Sequence, residues 1–407
     1  MSLKLVASIS TVGVPSDALQ LFIDQYAFFG PYSAEFVGDF LVVPETTFDF
    51  LQSDLQLPAV TVFDEQSKIV SQLQVPQDVV VPSSTVSPCT KRPFIALLQI
   101  DRENRARIVI YAVTSNGQIA GPYSSFDLST LDAFVDFNNT AEVVAGFSSN
   151  GRFLAITYSA GGPDFSNRLA VLKVHHDGVL EFFAQIDVPD ALFVQQNVVF
   201  RQIKKGEYLI VAGYNSLDED SSRLISYRFS ASSKRIVQLK DVPVNQFIFG
   251  YDADPKLHRL IVLTREAAVK GLSVQQDPGT PFEGAAAPKD ELRLYDLGDL
   301  SLVNGWDLGA TGYKAKWNPD GKSIALTFAA AESVNGVTGT LEEPVVAPAQ
   351  VPSVLGLFSY KCDELSLRQV KVAAPFAFGL AWKCDDVLAV AGVPTQTQKD
   401  FQKYKVC

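Results

Sequence analysis

Three histidines and four cysteines are all the imidazoles and thiols this chain has, and none stands at a spacing that does chemistry. His175 and His176 are neighbours in His-His-Asp-Gly, and His258 lies alone. The local signatures of a zinc site are imidazoles one helical turn apart or closely paired thiolates. Cys89, Cys362, Cys384 and Cys407 contain no Cys-x-x-Cys pair. There is no Gly-x-Ser-x-Gly nucleophile turn and no phosphate-cradling glycine loop, so serine-hydrolase and nucleotide-dependent classes lose their support. Asp218-Glu219-Asp220 lacks the ligand spacing of a calcium loop and reads as a solvated loop. No metal and no cofactor is expected. What remains is a scatter of amides and cations: Gln195, Gln196, Asn197, Arg201, Asn245, Gln246, Lys314 and Lys316. Gathered by a fold, such groups could bind a carboxylate or a sugar; ungathered, they hydrogen-bond to water. Trp317 and Trp382 could likewise stack on a sugar ring or pack in a core.

Any positioning must come from strands. An aromatic or apolar residue inside an apolar run recurs at Phe63, Tyr111, Leu172, Tyr227, Tyr295, Phe358 and Tyr404, at a mean spacing of about 57 residues. Around Leu172 the unit is plainest. Glu142 to Phe147, Phe153 to Tyr158, Leu169 to Val174 and Val179 to Val188 are apolar runs, separated by Ser-Ser-Asn-Gly, a Gly-Gly-Pro loop and His-His-Asp-Gly. Asn-Gly and Asp-Gly between such runs are hairpin signals, because both residues tolerate positive φ. Four strands A to D, repeated seven times, predict an all-β seven-bladed β-propeller with four antiparallel strands per blade.

The later units follow the same order. Strands A to D are expected at Val198 to Gln202, Tyr208 to Gly213, Leu224 to Phe229 and Ile236 to Val242 in the fourth unit. In the fifth, A lies near Phe247 to Tyr251 and B to D at Leu260 to Thr264, Leu292 to Leu297 and Leu302 to Leu308. In the sixth they fall at Tyr313 to Trp317, Ser323 to Phe328, Val354 to Tyr360 and Ser366 to Val372. Units one and two show only their C–D hairpins clearly, at Ala59 to Asp64 with Ile69 to Val75 and at Arg107 to Val113 with Gln118 to Tyr123. The seventh stops after three strands, and its missing D strand is expected from Leu3 to Val12. That strand ends in Val14-Pro15, as other D strands end in Val75-Pro76, Val188-Pro189 and Val242-Pro243. Pairing it beside Phe401 to Val406 would close the ring and hide two sheet edges. The whole chain, 1–407, is then a single propeller domain. Its boundaries are 1–14 for the outer strand of blade seven, 15–76, 77–128, 129–188, 189–242, 243–308 and 309–372 for blades one to six, and 373–407 for the inner strands of blade seven.

Phe147-Ser-Ser-Asn-Gly-Arg-Phe-Leu-Ala-Ile and Trp317-Asn-Pro-Asp-Gly-Lys-Ser-Ile-Ala-Leu resemble the Ser-Pro-Asp-Gly turn of the lactonase-like, YVTN and TolB-type propeller repeats. The WD40 form is not followed, since no third strand ends in Trp-Asp. The resemblance implies blade structure. Lactonase-like enzymes would also lead one to expect His or Arg groups around the channel, and no such motif matches here residue by residue.

Composition narrows the partners. The formal net charge is −11 with 34 Lys and Arg, and no basic stripe of the kind that binds nucleic acid is present; Lys204-Lys205 reads as a solvated turn. No apolar run approaches the roughly 18 residues of a membrane span. With no signal peptide legible and few cysteines, a cytosolic setting is slightly favoured. In a propeller the A strands line the channel, the B–C and D–A loops share one face, and the A–B and C–D turns share the other. The histidines and cysteines fall toward the turn face, and Cys384 and Cys407 share a blade and could approach one another. The B–C face is elaborated by Arg265 to Asp290 and Ala329 to Ser353. Long loops on a rigid scaffold are often functional. The expected function is therefore a non-catalytic scaffold for protein–protein interaction, or a structural component of an assembly, with Phe282, Glu283, Glu342 and Glu343 as candidate partner contacts. Gln196, Arg201, Gln246, Lys314 and Lys316 are the candidate ligand contacts at the channel, and a small-molecule ligand stays open there. The alternative is a lactonase or cycloisomerase-like enzyme at the channel mouth; the balance of residues is against an enzyme.

Overall fold

The computed structural model describes residues 3–9, 33–44, 58–76, 78–103, 105–131, 143–160, 166–188, 193–215, 222–265, 290–308, 312–329, 337–339, 344–346, 353–373, 377, 379–384, 386–392 and 401–406. The chain is a seven-bladed β-propeller built from seven four-stranded antiparallel sheets. It divides into two compact units, Tyr32–Asn245 and Met1–Pro31 with Gln246–Cys407.

The unit of residues 32–245 holds blades one to four. Blade one comprises Glu35–Val37, Phe40–Pro44, Val60–Phe63 and Ile69–Leu73, and blade two Val79–Val86, Phe94–Asp101, Ala106–Val113 and Ile119–Asp127. Their A and B strands, illegible in the sequence, are thus present. Blade three comprises Val143–Phe147, Phe153–Ala160, Ser166–Val174 and Leu180–Val188. Blade four comprises Phe193–Lys204, Glu207–Asn215, Arg223–Ser230 and Arg235–Pro243. Strand A of blade four begins five residues before the expected Val198, because Phe193 and Val194 pair with Asn215 and Tyr214 across a slip in the ladder. Apolar cores lie between successive blades: Val62 and Ile95 between one and two, Ile110 and Leu154 between two and three, Val171 and Phe229 between three and four.

The other unit holds blades five to seven. Blade five is Phe247–Ala253, Arg259–Arg265, Asp290–Asp296 and Leu302–Asp307, and blade six Gly312–Trp317, Ser323–Ala329, Ser353–Lys361 and Glu364–Ala373. Blade seven joins Gly379–Lys383, Val387–Ala391 and Phe401–Val406 to the N-terminal strand Leu3–Ile9, which pairs antiparallel from Leu3 opposite Val406 to Ile9 opposite Phe401. The predicted closure is formed. Leu3 is buried with Trp382, Leu388 and Tyr404 in the core between blades six and seven.

The recurring residue has a structural meaning. In blades one, three, four, five and six the C–D ladder slips at Phe63, Leu172, Tyr227, Tyr295 and Phe358, and in blade two across Tyr111. At Leu172, for example, the partners jump from Ala184 to Phe182 and leave Phe183 as an extra residue in strand D. One extra residue bends the outer strand and raises its twist. The N-terminal strand carries the same device, for Lys403 faces Ala7 and Tyr404 faces Leu5, leaving Val6 unpaired.

The two turns that share the Asp/Asn-Gly motif fold alike. Gly151 and Gly321 sit at φ +65° and +72°, the left-handed region glycine favours. Their amides donate to Ser148 and Asn318 carbonyls at 2.8 and 3.0 Å. The Ser148 hydroxyl accepts from Phe153 N at 3.0 Å, as the Asn318 side chain accepts from Ser323 N at 3.0 Å.

Candidate functional site

Two long insertions stand on complete ladders. In blade five, strands B and C pair without interruption from Arg259 opposite Asp296 to Arg265 opposite Asp290, and residues 266–289 follow. In blade six they pair from Ser323 opposite Ser359 to Ala329 opposite Ser353. Residues 330–352 include a small hairpin, Val337–Gly339 with Pro344–Val346. Phe282, Glu283, Glu342 and Glu343 lie outside the described residues.

Buried polar groups hold the feet of both insertions. Asp290 is fully buried, and its carboxylate accepts from Gly312 N at 2.7 Å while its carbonyl accepts from Leu308 N at 2.9 Å. In blade six, Ser353 Oγ accepts from Ala377 N at 3.2 Å, and Thr327 Oγ1 donates to Ala377 O at 2.6 Å. A buried polar group left unpaired would cost about 1–3 kcal/mol, so these contacts fix each foot to the connection leading into the next blade.

The candidate ligand contacts are only partly gathered. Lys314 and Lys316 share the half-buried face of strand A of blade six, while Tyr313, Ala315 and Trp317 point into its buried side. Gln246 enters strand A of blade five, and its side-chain carbonyl accepts from the buried Thr264 hydroxyl. Arg201 and Gln196 belong to the other unit. Arg201 is half-buried opposite Leu209, and Gln196 falls within the slipped stretch of its strand. The tryptophans are packing residues: Trp317 is 4% exposed and meets Tyr360 edge-on at 4.9 Å. Trp382 is 7% exposed and donates its indole N–H to Lys316 O at 3.4 Å. Neither leaves a ring face open to a sugar.

A charged cluster that the sequence does not signal lies at the opposite, turn end of blades five and six. Arg259 donates to both oxygens of Asp363, at 2.9 and 3.1 Å, and to Asp296 Oδ2 at 2.6 Å. Tyr360 OH donates to Asp363 Oδ1, and Asn304 donates to the Asp363 carbonyl at 3.1 Å. The main partners are 104 residues apart, so no local pattern could announce them. Arg259 thereby ties the C–D turn of blade six to blade five, a fork-to-carboxylate pairing that fixes geometry as well as charge. The Arg259 guanidinium and the Tyr360 hydroxyl hold the Asp363 carboxyl below the usual range, and burial with the adjacent charge pushes the Tyr360 phenol up to about 12. A depressed carboxylate pKa contributes stability that is present above the unfolded value of about 3.9 and is lost as pH falls through the folded value. Asp363→Asn should therefore lower the melting temperature at pH 7, by the equivalent of about 1 kcal/mol for a partly exposed pair, and by much less near pH 3. Melts of both proteins at the two pH values check this; an equal deficit at both would show that the charge is not responsible.

Two of the histidines have partners in surface turns. His175 Nε2 lies 2.8 Å from Glu181 Oε2 on a surface hairpin, and His258 N donates to Asp254 at 2.7 Å inside a turn. Among the described residues no group of three or more His, Cys, Asp or Glu is placed to hold a metal ion. Cys89, Cys362 and Cys384 are free thiols, and Cys407 lies outside the described residues. No helix among the described residues is long and apolar enough to cross a membrane.

The fold has solved counterparts. Hydrazine synthase of Kuenenia stuttgartiensis is similar over 93% of this chain and 96% of its own, with a TM-score of 0.55 and 10% identity. A protein from Lactobacillus plantarum is similar over 86% of each chain, with a TM-score of 0.53 and 11% identity. Likeness at this identity defines the class, a seven-bladed propeller, and a propeller hosts many functions. No protein-family profile matches the chain, and no curated protein matches it in sequence.

Proposed function

We propose that this propeller is a non-catalytic scaffold that meets protein partners through the B–C loops of blades five and six. The observation that carries the reading is that each insertion begins where a complete B–C ladder ends, on a foot held by a buried polar contact. The blades do not need this extra chain to pair their strands. Chain that a fold does not require, on a rigid base, is suited to recognition. Phe282 supplies an apolar anchor for such a contact, and Glu283, Glu342 and Glu343 supply charge that would favour a partner with a basic rim.

The test replaces residues 266–289 and 330–352 with short turns. The doubly shortened protein should keep its β-sheet circular dichroism and melt within a few degrees of the parent, since both ladders are left whole. Proteins that co-purify with the parent chain, quantified by mass spectrometry, should be depleted from it. An undiminished set of partners on the shortened chain would overturn the proposal.

A further inference from the structure

The turn end of blade four concentrates positive charge in a chain of net charge −11. The A–B turn carries Lys204 and Lys205, and the C–D turn carries Lys234 and Arg235. A backbone hydrogen bond from Ala231 N to Gly206 O, 2.9 Å long, joins the two turns. Asn150 of the neighbouring blade-three turn reaches the same end, donating to Gln202 Oε1 and Tyr208 OH at 2.9 Å each. Glu207 is the single carboxylate in these two blade-four turns, and it is paired with Lys204 at 3.3 Å.

Two further features set this end apart from an ordinary solvated turn. The A–B ladder slips between Gln202 and Lys204, so Ile203 is ejected from the pairing and stands 49% exposed next to the lysines. A bulge that turns an isoleucine outward re-aims a side chain that a regular strand would have kept in register. Lys234 adopts φ +51°, a backbone region that favours Gly, Asn or Asp, and its ammonium sits 4.8 Å from the Phe183 ring centre. The chain thus places a lysine where a turn would accept a smaller residue more cheaply.

We propose that this surface, Ile203 with Lys204, Lys205, Lys234 and Arg235, docks a short acidic segment of a partner protein. Charge sign selects an anion. Extent selects a short one, because the patch covers the two turns of one blade. Exposed charges farther apart than about 8 Å are largely screened at physiological salt. A long polyanion would run from the patch onto a body whose net charge repels it. The exposed isoleucine supplies the apolar contact that a peptide side chain uses and a phosphate backbone does not. This docking site lies at the turn end and is independent of the B–C loops.

The probe is a fluorescent oligo-glutamate peptide of about ten residues carrying one leucine, roughly 30 Å when extended, titrated onto the full chain. Binding should weaken markedly between about 50 and 200 mM salt. It should fall roughly tenfold or more in Lys205→Glu/Arg235→Glu, which leaves Lys234 on Phe183 undisturbed. Ile203→Ser should weaken it about threefold, and Lys68→Glu in blade one should not change it. The loop-shortened chain should bind the peptide as well as the parent, which separates this result from the B–C reading. Absence of peptide binding, or equal binding by the charge-reversed chain, overturns the proposal. So does tighter retention of an oligothymidylate or of phosphatidylserine vesicles, or a dimer of the chain alone that the reversal dissolves.

Discussion

Deletion of residues 1–9 leaves a chain that melts on the order of 10 °C lower and aggregates at concentrations where the parent is monodisperse. The strand Leu3–Ile9 supplies the outer edge of blade seven over six paired positions, with Leu3 buried at 4% exposure. Its loss removes about 2 kcal/mol of apolar burial and a ladder in which each bond contributes about 1 kcal/mol. It also bares the edge of Phe401–Val406, whose Phe401, Tyr404 and Val406 are buried. An exposed apolar edge is a template for pairing between chains. The deleted segment also carries the blade's own bulge, since Val6 is left unpaired between Leu5 opposite Tyr404 and Ala7 opposite Lys403. A synthetic peptide of residues 1–12 added to the deleted chain should restore much of the melting temperature. A deleted protein that melts cooperatively with the parent would sink the closure account. Calorimetry and size-exclusion chromatography decide it.

Phe229→Ala should destabilise the chain by about 3–5 kcal/mol, the largest effect expected of any single substitution here. Phe229 is fully buried between blades three and four, and four aromatic rings meet it: Phe153 at 5.0 Å, Tyr208 at 5.7 Å, Phe183 at 5.8 Å and Phe200 at 6.0 Å. Three of these contacts are edge-on, the arrangement in which ring edges meet ring faces and each pair adds about 0.5–1.5 kcal/mol beyond its area. Truncation empties the middle of the cluster, and the surrounding rings are too constrained by their strands to collapse into the gap. Phe229→Leu keeps most of the volume and should lose well under half as much. Urea titrations of the parent and the two variants give the comparison. An alanine variant with an unchanged midpoint would mean that this cluster does not hold the two blades together.

The architecture was legible because a blade is written in local chemistry. Alternating apolar runs, Asn-Gly and Asp-Gly turns and a fixed period suffice to specify hairpins, and the turns at Gly151 and Gly321 carry the positive φ their glycines announce. Even the closure was readable, since the N-terminal run ends as D strands end. The A and B strands of blades one and two were not: in blade two they are eight residues each and are joined by Ser-Pro-Cys-Thr-Lys-Arg-Pro, with no Asn-Gly or Asp-Gly to mark the turn.

Contacts between blades follow no local rule. Arg259 and Asp363 meet only because successive blades stack their turns, which no period in the chain encodes. The same holds for Asp290 and Gly312, and for the turns that gather Lys205 and Arg235. Trp317 and Trp382 show the limit from the other side: their type admitted a binding platform, and burial at 4% and 7% exposure made them packing residues. By itself, then, the sequence determined seven four-stranded units, their order and the strand that completes the last. Only the tertiary structure decided what the seven recurring residues do, which is to mark the point where each outer strand takes up extra chain. It also decided which charges lie together, because electrostatic neighbourhoods depend on distance in space, and hairpin signals depend on distance along the chain.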